Sequence, residues 1–413
     1  MRKIVIKTNG CAVLIHETER VAKYFVQNGW EVTEQPQEAD ILFVTCCGVT
    51  HNEEDEAIGI IRDLEHVRPA TCRMIVSGCM PQFARERVLE VAPEAVILSQ
   101  NELHTMDKYI GAKVPFESVH YNTHPIVEKY CDPREKTDEN LRLMRSIDAK
   151  NHTTVCEQAW EFAAWRKYLW QGDDSFQIRV SYGCSSNCSY CATKLGIGAF
   201  RSVPMETVLQ QYREGLEQGY SRFVLVGDEI GAYGRETGSS LPALLEQMHQ
   251  MATRPVTVAI RYIHPDLFAR WYEQLKPFFA SGFVNYFCSA FQSGSPAVLK
   301  RMNRNPNIEP FVRCMEDLNA AGYAVNKHTQ IIVGFPGETA EDVLLTMDVL
   351  RRCRFDHINI NIYSPRAKTA AYAFGDDVTA EQKAFRAALI RHTMWLHKKA
   401  LLYDAIRTSM QDA

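Results

Sequence analysis

Residues 179–194 read RVSYGCSSNCSYCATK: a β-rich run ends in a Gly-Cys turn, and Cys184, Cys188 and Cys191 follow at C-x3-C-x2-C spacing with no fourth cysteine close behind. What lies downstream sets the fold around them. Strand-like runs at QIRVSY, RFVLVGDE, VTVAIRYI, NYFCSAFQ, NKHTQIIVGF and HININIYS alternate with helical stretches such as METVLQQYREGLEQG and AEDVLLTMDVLRR. Six β/α units predict a partial or full β/α barrel, an architecture whose chemistry sits at the carboxyl ends of its strands. The three cysteines follow the first of those strands, so they belong at that mouth.

Upstream, continuous apolar strands alternate with helices four times. RKIVIKTNGC, ADILFVTCCG, CRMIVSGCM and EAVILSQ each precede a helical segment, which predicts a parallel, doubly wound α/β sheet. Three of these strands end in cysteine: Cys11, Cys46 (with Cys47 beside it) and Cys79. Parallel sheets gather the carboxyl ends of their strands on one edge, where such folds bind ligands, so the three thiols are expected to converge. Any one of them alone reads as a small buried hydrophobe; three at equivalent strand ends point to a shared metal site. Strand period places Cys46 and Cys47 on opposite faces, which leaves the choice between them open on periodicity alone.

The domain reading is therefore residues 1–112 for the α/β unit, 113–172 for a charged linker and docking helix, 173–378 for the barrel and 379–413 for a helical extension. In the linker, Trp160, Trp165 and Trp170 suit docking of a helix on a neighbouring domain. The chain has 413 residues, 46% of them hydrophobic and 23% charged, enough to bury sizeable cores in more than one domain. Thirteen cysteines is an odd number, no signal-peptide pattern opens the chain and no apolar run reaches membrane-spanning length. The expected setting is the reducing cytoplasm, where clustered cysteines bind metal more often than they form disulfides. A net charge of −4 gives no global attraction to nucleic acid.

Four protein ligands close a structural zinc site, and four thiolates are needed when protein alone binds a four-iron cluster. Three thiolates leave one iron open to a small chelating ligand. The C-x3-C-x2-C spacing, with Tyr190 before the last cysteine, resembles the radical S-adenosylmethionine superfamily. The resemblance implies that Gly227, Asp228 and Glu229 of LVGDE receive the methionine ammonium, that Gln292, Ser293 and Ser295 of FQSGS face a ribose, and that Arg304 meets a carboxylate. It also places the turn Ile332–Thr339, with Gly334, against the adenine. The cysteine-ended domain ahead of the barrel, with GC, VTC and GC in order, resembles the methylthiotransferases over about residues 4 to 375. GDEIGAYGRETGSSLPALL, QSGSPAVLKRMNRN and QIIVGFPGET are similar to that family's barrel motifs, nearest to the branch acting on threonylcarbamoyladenosine in transfer RNA.

Carried over by position, the resemblance implies two [4Fe–4S] clusters and S-adenosyl-L-methionine. Cys184, Cys188 and Cys191 would hold the radical-generating cluster, and Cys11, Cys46 and Cys79 an auxiliary cluster; Cys46 is preferred because the family's ligand directly follows the threonine of VTC. An electron donor such as a flavodoxin or ferredoxin is implied as a partner. Where the family carries a TRAM domain, TAEQKAFRAALIRHTMWLHKKALLYDAIRTSM reads as one amphipathic helix, with Phe385, Leu389, Met394 and Leu401 beside His392, His397 and Lys398. The family's Asp before the IIVGFPGET turn is Gln330, and its Pro-Gly-Thr is replaced within PRAKTAA. These departures lead to the expectation of sulfur or methylthio insertion on a peptide or small molecule, with a modified adenosine of transfer RNA as the alternative. A different radical enzyme and a non-catalytic iron–sulfur protein are the remaining readings.

Overall fold

The structure is a computed structural model that describes residues 1–10, 12–48, 51–122 and 175–411. Cys11 and the linker tryptophans Trp160, Trp165 and Trp170 lie outside the described residues, as do the side chains of Lys398 and Leu401.

The first sheet is built from β1 (Lys3–Thr8), β2 (Glu31–Val32), β3 (Ile41–Cys46), β4 (Arg73–Gly78) and β5 (Val96–Ile97). All pairs are parallel, in the order β2-β1-β3-β4-β5. Its strands alternate between two cores because successive side chains leave a strand on opposite faces. Val5, Leu42, Val44, Met74 and Val76 go to one side, beneath the helix α2 (His51–Val67), with Ala57, Ile58 and Ile61. Ile4, Ile6, Phe43 and Ile75 go to the other, with Tyr24 and Phe25 of α1 (Ala12–Gln27). Burial on both faces is why these strands read as unbroken apolar runs, and the sheet is doubly wound as expected. The chain reverses its winding between β1 and β3, the kind of crevice where open α/β sheets place ligands. Short helices α3 (Met80–Phe83), α4 (Arg85–Val91) and α5 (Met106–Ile110) complete the unit, whose second core also takes in Phe116 and Val119.

The second sheet runs β6 (Ser175–Arg179), β9 (Arg222–Val226), β10 (Thr257–Ile260), β11 (Val284–Cys288), β12 (Asn326–Val333) and β13 (His357–Ile362), parallel throughout and in chain order. Strands β6 and β13 are its two edges, and no pairing between them occurs among the described residues, so the barrel is partial. Between β6 and β9 a two-residue antiparallel ladder joins β7 (Ser181–Tyr182) to β8 (Arg201–Ser202), with α6 (Thr193–Ile197) between them. Phe176, Ile178, Phe223, Leu225, Val258, Ile260, Phe287, Ile331 and Val333 pack outward. Their covering is α7 (Met205–Glu217), α8 (Leu241–Met251), α9 (Pro265–Ala280), α11 (Glu309–Ala321) and α12 (Ala340–Cys353), while the short α10 (Pro296–Arg301) packs through Val298 with Phe335 and Tyr363. Strand alternation then turns the opposite set, including Arg179, His328, Gln330 and His357, to the concave side.

The final helix α13 (Ala380–Gln411) lies along β13 and α12. Its buried face keeps Met394 of the expected set but otherwise differs: Ala387 and Ile390 enter the barrel core beside Met394, while Phe385 and Leu389 are exposed. The reason is Lys383, which reaches the Tyr363 carbonyl at 3.2 Å and Asp376 at 2.6 Å and so fixes the helix rotation. Among the described residues no helix is long and apolar enough to cross a membrane.

Candidate active site

The loop after β7 begins with Gly183, whose φ is +70° and where a β-carbon would come 2.3 Å from the Ala199 carbonyl oxygen; only glycine fits that turn. Cys184, Cys188 and Cys191 all lie on this loop, and each is partly exposed. The loop is tied down from behind. Ser189 donates its N–H to the Met302 carbonyl (2.9 Å) and its hydroxyl to the Arg301 carbonyl (2.7 Å), and Asn303 donates to the Asn187 carbonyl at 2.7 Å. The Ser186 N–H donates to Cys184 Sγ at 3.4 Å, and Arg304 Nη1 donates to Cys188 Sγ at 3.4 Å.

Burial pushes the Cys184 thiol up to about 12 and raises that of Cys191. Such thiols lose their protons only when a cation meets them, which a bound metal supplies. Among the described residues no three His, Cys, Asp or Glu side chains are arranged to hold a single metal ion. An iron–sulfur cluster asks less convergence of its cysteines, since each thiolate binds a different iron and the sulfurs need not meet at one point.

Around this loop the structure gathers most of the expected cofactor-binding residues. Tyr190 packs edge-on against Phe335 with ring centroids 6.4 Å apart, in an apolar group with Val298, Met302 and Ile332. Its hydroxyl accepts from Arg304 Nη1 at 3.3 Å, and Arg304 Nη2 donates to the Ala290 carbonyl at 2.7 Å. Glu229 is 4% exposed and accepts through Oε1 from the backbone N–H groups of Gly231 (2.9 Å) and His264 (3.2 Å). Burial pushes its carboxyl up to about 7. Asp228 is turned away toward the Gly183 N–H (3.2 Å) and Arg179 (3.4 Å), so Glu229 is the carboxylate that Arg304 senses. Gly227 admits Ser181, whose Oγ would stand 2.4 Å from an added β-carbon.

Gln292 has φ +68°, and its buried Oε1 has no hydrogen-bond partner among the described residues. Its carbonyl accepts from the Ile332 N–H at 2.9 Å, which couples the two. Strain in a non-glycine residue together with an unsatisfied buried oxygen marks a position shaped for a ligand. Gly334, at φ +71°, donates its N–H to Glu338 Oε2 at 2.7 Å. Ser293 and Ser295 depart from the expectation of a ribose contact. The Ser293 hydroxyl meets Thr346 at 3.3 Å, and that of Ser295 donates to Asp342 at 2.5 Å while capping α10, so both hydroxyls serve the fold.

The other cysteines lie next door. Cys46 falls on the same strand face as Leu42 and Val44, wholly buried under α2, and burial drives its thiol far up. Cys47 faces the other way. It shares a small apolar group with Leu14, Cys79 and Ile197, against which Cys184 packs. Asn9 clamps it, accepting from the Cys47 N–H at 2.9 Å and donating to its carbonyl at 3.4 Å. The structure thus brings Cys47, and not Cys46, to Cys79, contrary to the choice made from the VTC pattern. The signal was present in the alternation Leu42-Val44-Cys46. The motifs singled out neither Asn9, which holds the Cys47 backbone, nor Arg366, whose guanidinium donates to Glu54 at 2.5 Å across to the first domain.

An open parallel barrel with three thiols on the loop after its first strand, and a buried glutamate and arginine beside them, defines a radical S-adenosylmethionine enzyme. The sequence profile of the Radical SAM superfamily matches residues 178–350, and that described as uncharacterized protein family UPF0004 matches residues 3–99. A protein of Petrotoga mobilis named tRNA-2-methylthio-N(6)-dimethylallyladenosine synthase is 28% identical over 97% of this chain and 84% of its own length. One of the same name from Thermodesulfovibrio yellowstonii is 27% identical over 93% and 81%. Among solved structures, the radical S-adenosylmethionine methyltransferase TsrM of Kitasatospora setae, with cobalamin and a [4Fe-4S] cluster bound, has TM-score 0.58 at 13% identity, covering 90% of this chain and 77% of TsrM. The cobalamin-dependent radical enzyme OxsB has TM-score 0.54 at 13% identity, covering 93% and 56%; both likenesses speak to the fold. The chain belongs to the radical S-adenosylmethionine methylthiotransferase family, whose cofactors are S-adenosylmethionine and two [4Fe–4S] clusters.

Proposed function

We propose that this enzyme is a transfer RNA methylthiotransferase that replaces a C–H of a modified adenosine by C–SCH3. The observation that carries the reading is the alignment of both domains, over more than nine-tenths of the chain, with relatives named for that modification. It displaces the peptide or small-molecule acceptor that the sequence departures suggested. The net charge of −4 is no obstacle, since polyanion binding depends on a local set of cations.

In this reading Cys184, Cys188 and Cys191 hold the radical cluster, and Cys11, Cys47 and Cys79 the auxiliary one. The cofactors supply an electron, a carbon-centred radical that removes the hydrogen atom, and the methylated sulfur. The chain's own residues bind and orient. Arg304 positions a carboxylate beside Cys188, Glu229 accepts the ammonium group, Tyr190 and Ile332 wall the pocket, and the Gln292 amide and the Gly334 turn face the nucleoside. Packing of Cys47, Cys79, Ile197 and Cys184 into one apolar group keeps water from the space between the clusters. An electron donor such as a flavodoxin or ferredoxin and a cytoplasmic setting go with this chemistry.

The test is expression in a host lacking its own methylthiotransferases, followed by mass analysis of nucleosides from digested transfer RNA. A methylthioadenosine derivative is the expected product. Its absence, with turnover of S-adenosylmethionine by the reconstituted protein on a peptide instead, overturns the reading.

A further inference from the structure

Two side chains of α1 reach across the seam to the barrel. Glu17 is 3% exposed; its Oε1 accepts from Arg20 Nη1 at 3.1 Å, and its Oε2 faces Arg179 Nη1 at 3.7 Å. Arg20 is held within the first domain by the carbonyls of Val119 (2.7 Å) and Phe116 (3.0 Å), and its Nη1 also donates to the Tyr182 hydroxyl at 3.1 Å. The Tyr182 ring packs against two further guanidinium groups, those of Arg179 (4.4 Å to the ring centre) and Arg201 (4.0 Å). Arg179, the last residue of β6, is 4% exposed and donates through Nε to the Ser181 carbonyl at 3.0 Å and through Nη2 to Asp228 at 3.4 Å. Asp228 also accepts the Gly183 N–H at 3.2 Å. Gly183 directly precedes Cys184, and Asp228 directly precedes Glu229, so one buried arginine reaches both halves of the candidate site.

The link between the domains is of two kinds. Arg179 Nη1 and Glu17 Oε2 are buried, and neither makes a hydrogen bond among the described residues, so this pair attracts without fixing an angle. Direction comes from Tyr182, whose hydroxyl is hydrogen-bonded to a charged donor and whose ring carries the guanidinium stacking. We propose that Tyr182 and Arg179 are positioning residues through which α1 of the first domain sets the Gly183–Cys184 end of the radical-cluster loop and, by way of Asp228, the neighbouring Glu229. S-adenosylmethionine binding at that loop then depends on this contact between the domains. The inference rests on the reading of Cys184, Cys188 and Cys191 as the radical-cluster site. Because α1 starts at Ala12, the helix that leaves the first strand-end cysteine carries the groups that aim the other cysteine loop.

The test uses the full chain, reconstituted anaerobically with both clusters, and follows the paramagnetic spectrum of the reduced protein while S-adenosylmethionine is titrated. A parallel protein with Cys184, Cys188 and Cys191 replaced by alanine identifies the part of the spectrum that belongs to the radical cluster. Tyr182→Phe keeps the ring against Arg179 and Arg201 and removes only the hydroxyl that Arg20 holds. Glu17→Gln keeps the shape and removes the charge facing Arg179. Expected in both is unchanged iron content, with the spectral change reached at up to about tenfold higher S-adenosylmethionine concentration, the equivalent of one charge-assisted hydrogen bond. Glu54→Gln, which loosens the separate seam contact with Arg366, is the control: a lowered melting temperature with an unchanged titration is expected. A Tyr182→Phe titration that superimposes on the parent's overturns the proposal, as does an equal shift in Glu54→Gln, which would make any loosening of the seam sufficient. A response to S-adenosylmethionine that survives in the triple alanine protein would instead defeat the cluster-site reading. If Glu17→Gln fails to fold, Tyr182→Phe decides alone.

Discussion

Gly196 of α6, the short helix after the Cys184–Cys191 loop, lies directly on Cys79 of the first domain: a β-carbon at Gly196 would stand 2.6 Å from Cys79 Cα and 2.9 Å from its carbonyl oxygen. Backbone meets backbone there, so no side-chain rotation relieves a larger residue. Gly196→Ala is expected to cost about 1–3 kcal/mol through overpacking, and Gly196→Val to separate the domains locally. A lowered melting temperature with increased cleavage by protease near the linker checks this; an unshifted melting temperature contradicts the contact.

The choice between Cys46 and Cys47 separates cleanly by iron content. Cys47→Ala should lose half the iron of the reconstituted protein, whereas Cys46→Ala should retain all of it. Cys46 is wholly buried among Leu42, Val44, Ala57 and Met80, so its replacement leaves a small cavity and costs about 1 kcal/mol. Retention of all iron by Cys47→Ala would restore Cys46 as the ligand. Simultaneous replacement of Cys184, Cys188 and Cys191 by alanine should likewise remove one cluster and leave the other.

Glu229 makes the apoprotein's stability depend on pH. Its ordinary value is 4.5 and burial raises it to about 7 in the folded chain. Below 4.5 the carboxyl is neutral in both folded and unfolded chains. As pH rises toward 7 the unfolded chain ionises first, so stability falls across that window and levels off above it. Glu229→Gln has no such proton to lose. It is expected to match the wild type near pH 4.5 and to exceed it on the order of 2 kcal/mol above pH 7, while weakening S-adenosylmethionine binding. Parallel denaturation curves at all pH values would show that the carboxylate is not held in this environment.

How far the sequence discloses this molecule depends on whether the signal is local. Cys184, Cys188 and Cys191 sit within one turn-rich loop, so their spacing was legible, and so was the strand-helix alternation that builds both sheets. The β7–β8 ladder escaped notice because each strand has two residues, too short for any period to appear. Ser293 and Ser295 have the right chemistry for a ribose, but their hydroxyls are turned to Thr346 and Asp342 on α12, partners about fifty positions away. The exposed face of α13 was misjudged because Phe385 and Leu389 are the larger apolar residues, whereas the anchor that rotates the helix is Lys383. Arg366 stood in PRAKTAA only as part of a departure from a motif; its partner Glu54 lies in the other domain.

Gly334 and Glu338 tie the cofactor side of the barrel to α13. The Gly334 N–H donates to Glu338 Oε2 at 2.7 Å, the same oxygen accepts from Arg386 at 2.9 Å, and Lys383 lies so close that an added β-carbon at Gly334 would meet its Cγ at 2.2 Å. The positive φ and the lysine stem both exclude a side chain. Gly334→Ala should therefore cost about 1–2 kcal/mol from backbone conformation and more from displacing α13. Arg386→Ala is the milder probe. It leaves the buried Glu338 with only the Gly334 N–H, and burial already raises that carboxyl's pKa, so the residue is expected to become protonated at higher pH and to release the turn. Weaker S-adenosylmethionine binding by Arg386→Ala, with a deficit that grows as pH falls and shrinks as pH rises and Glu338 ionises, is the expected outcome in equilibrium binding measurements. An affinity equal to that of the wild type at every pH would mean that α13 packs beside the turn without governing it.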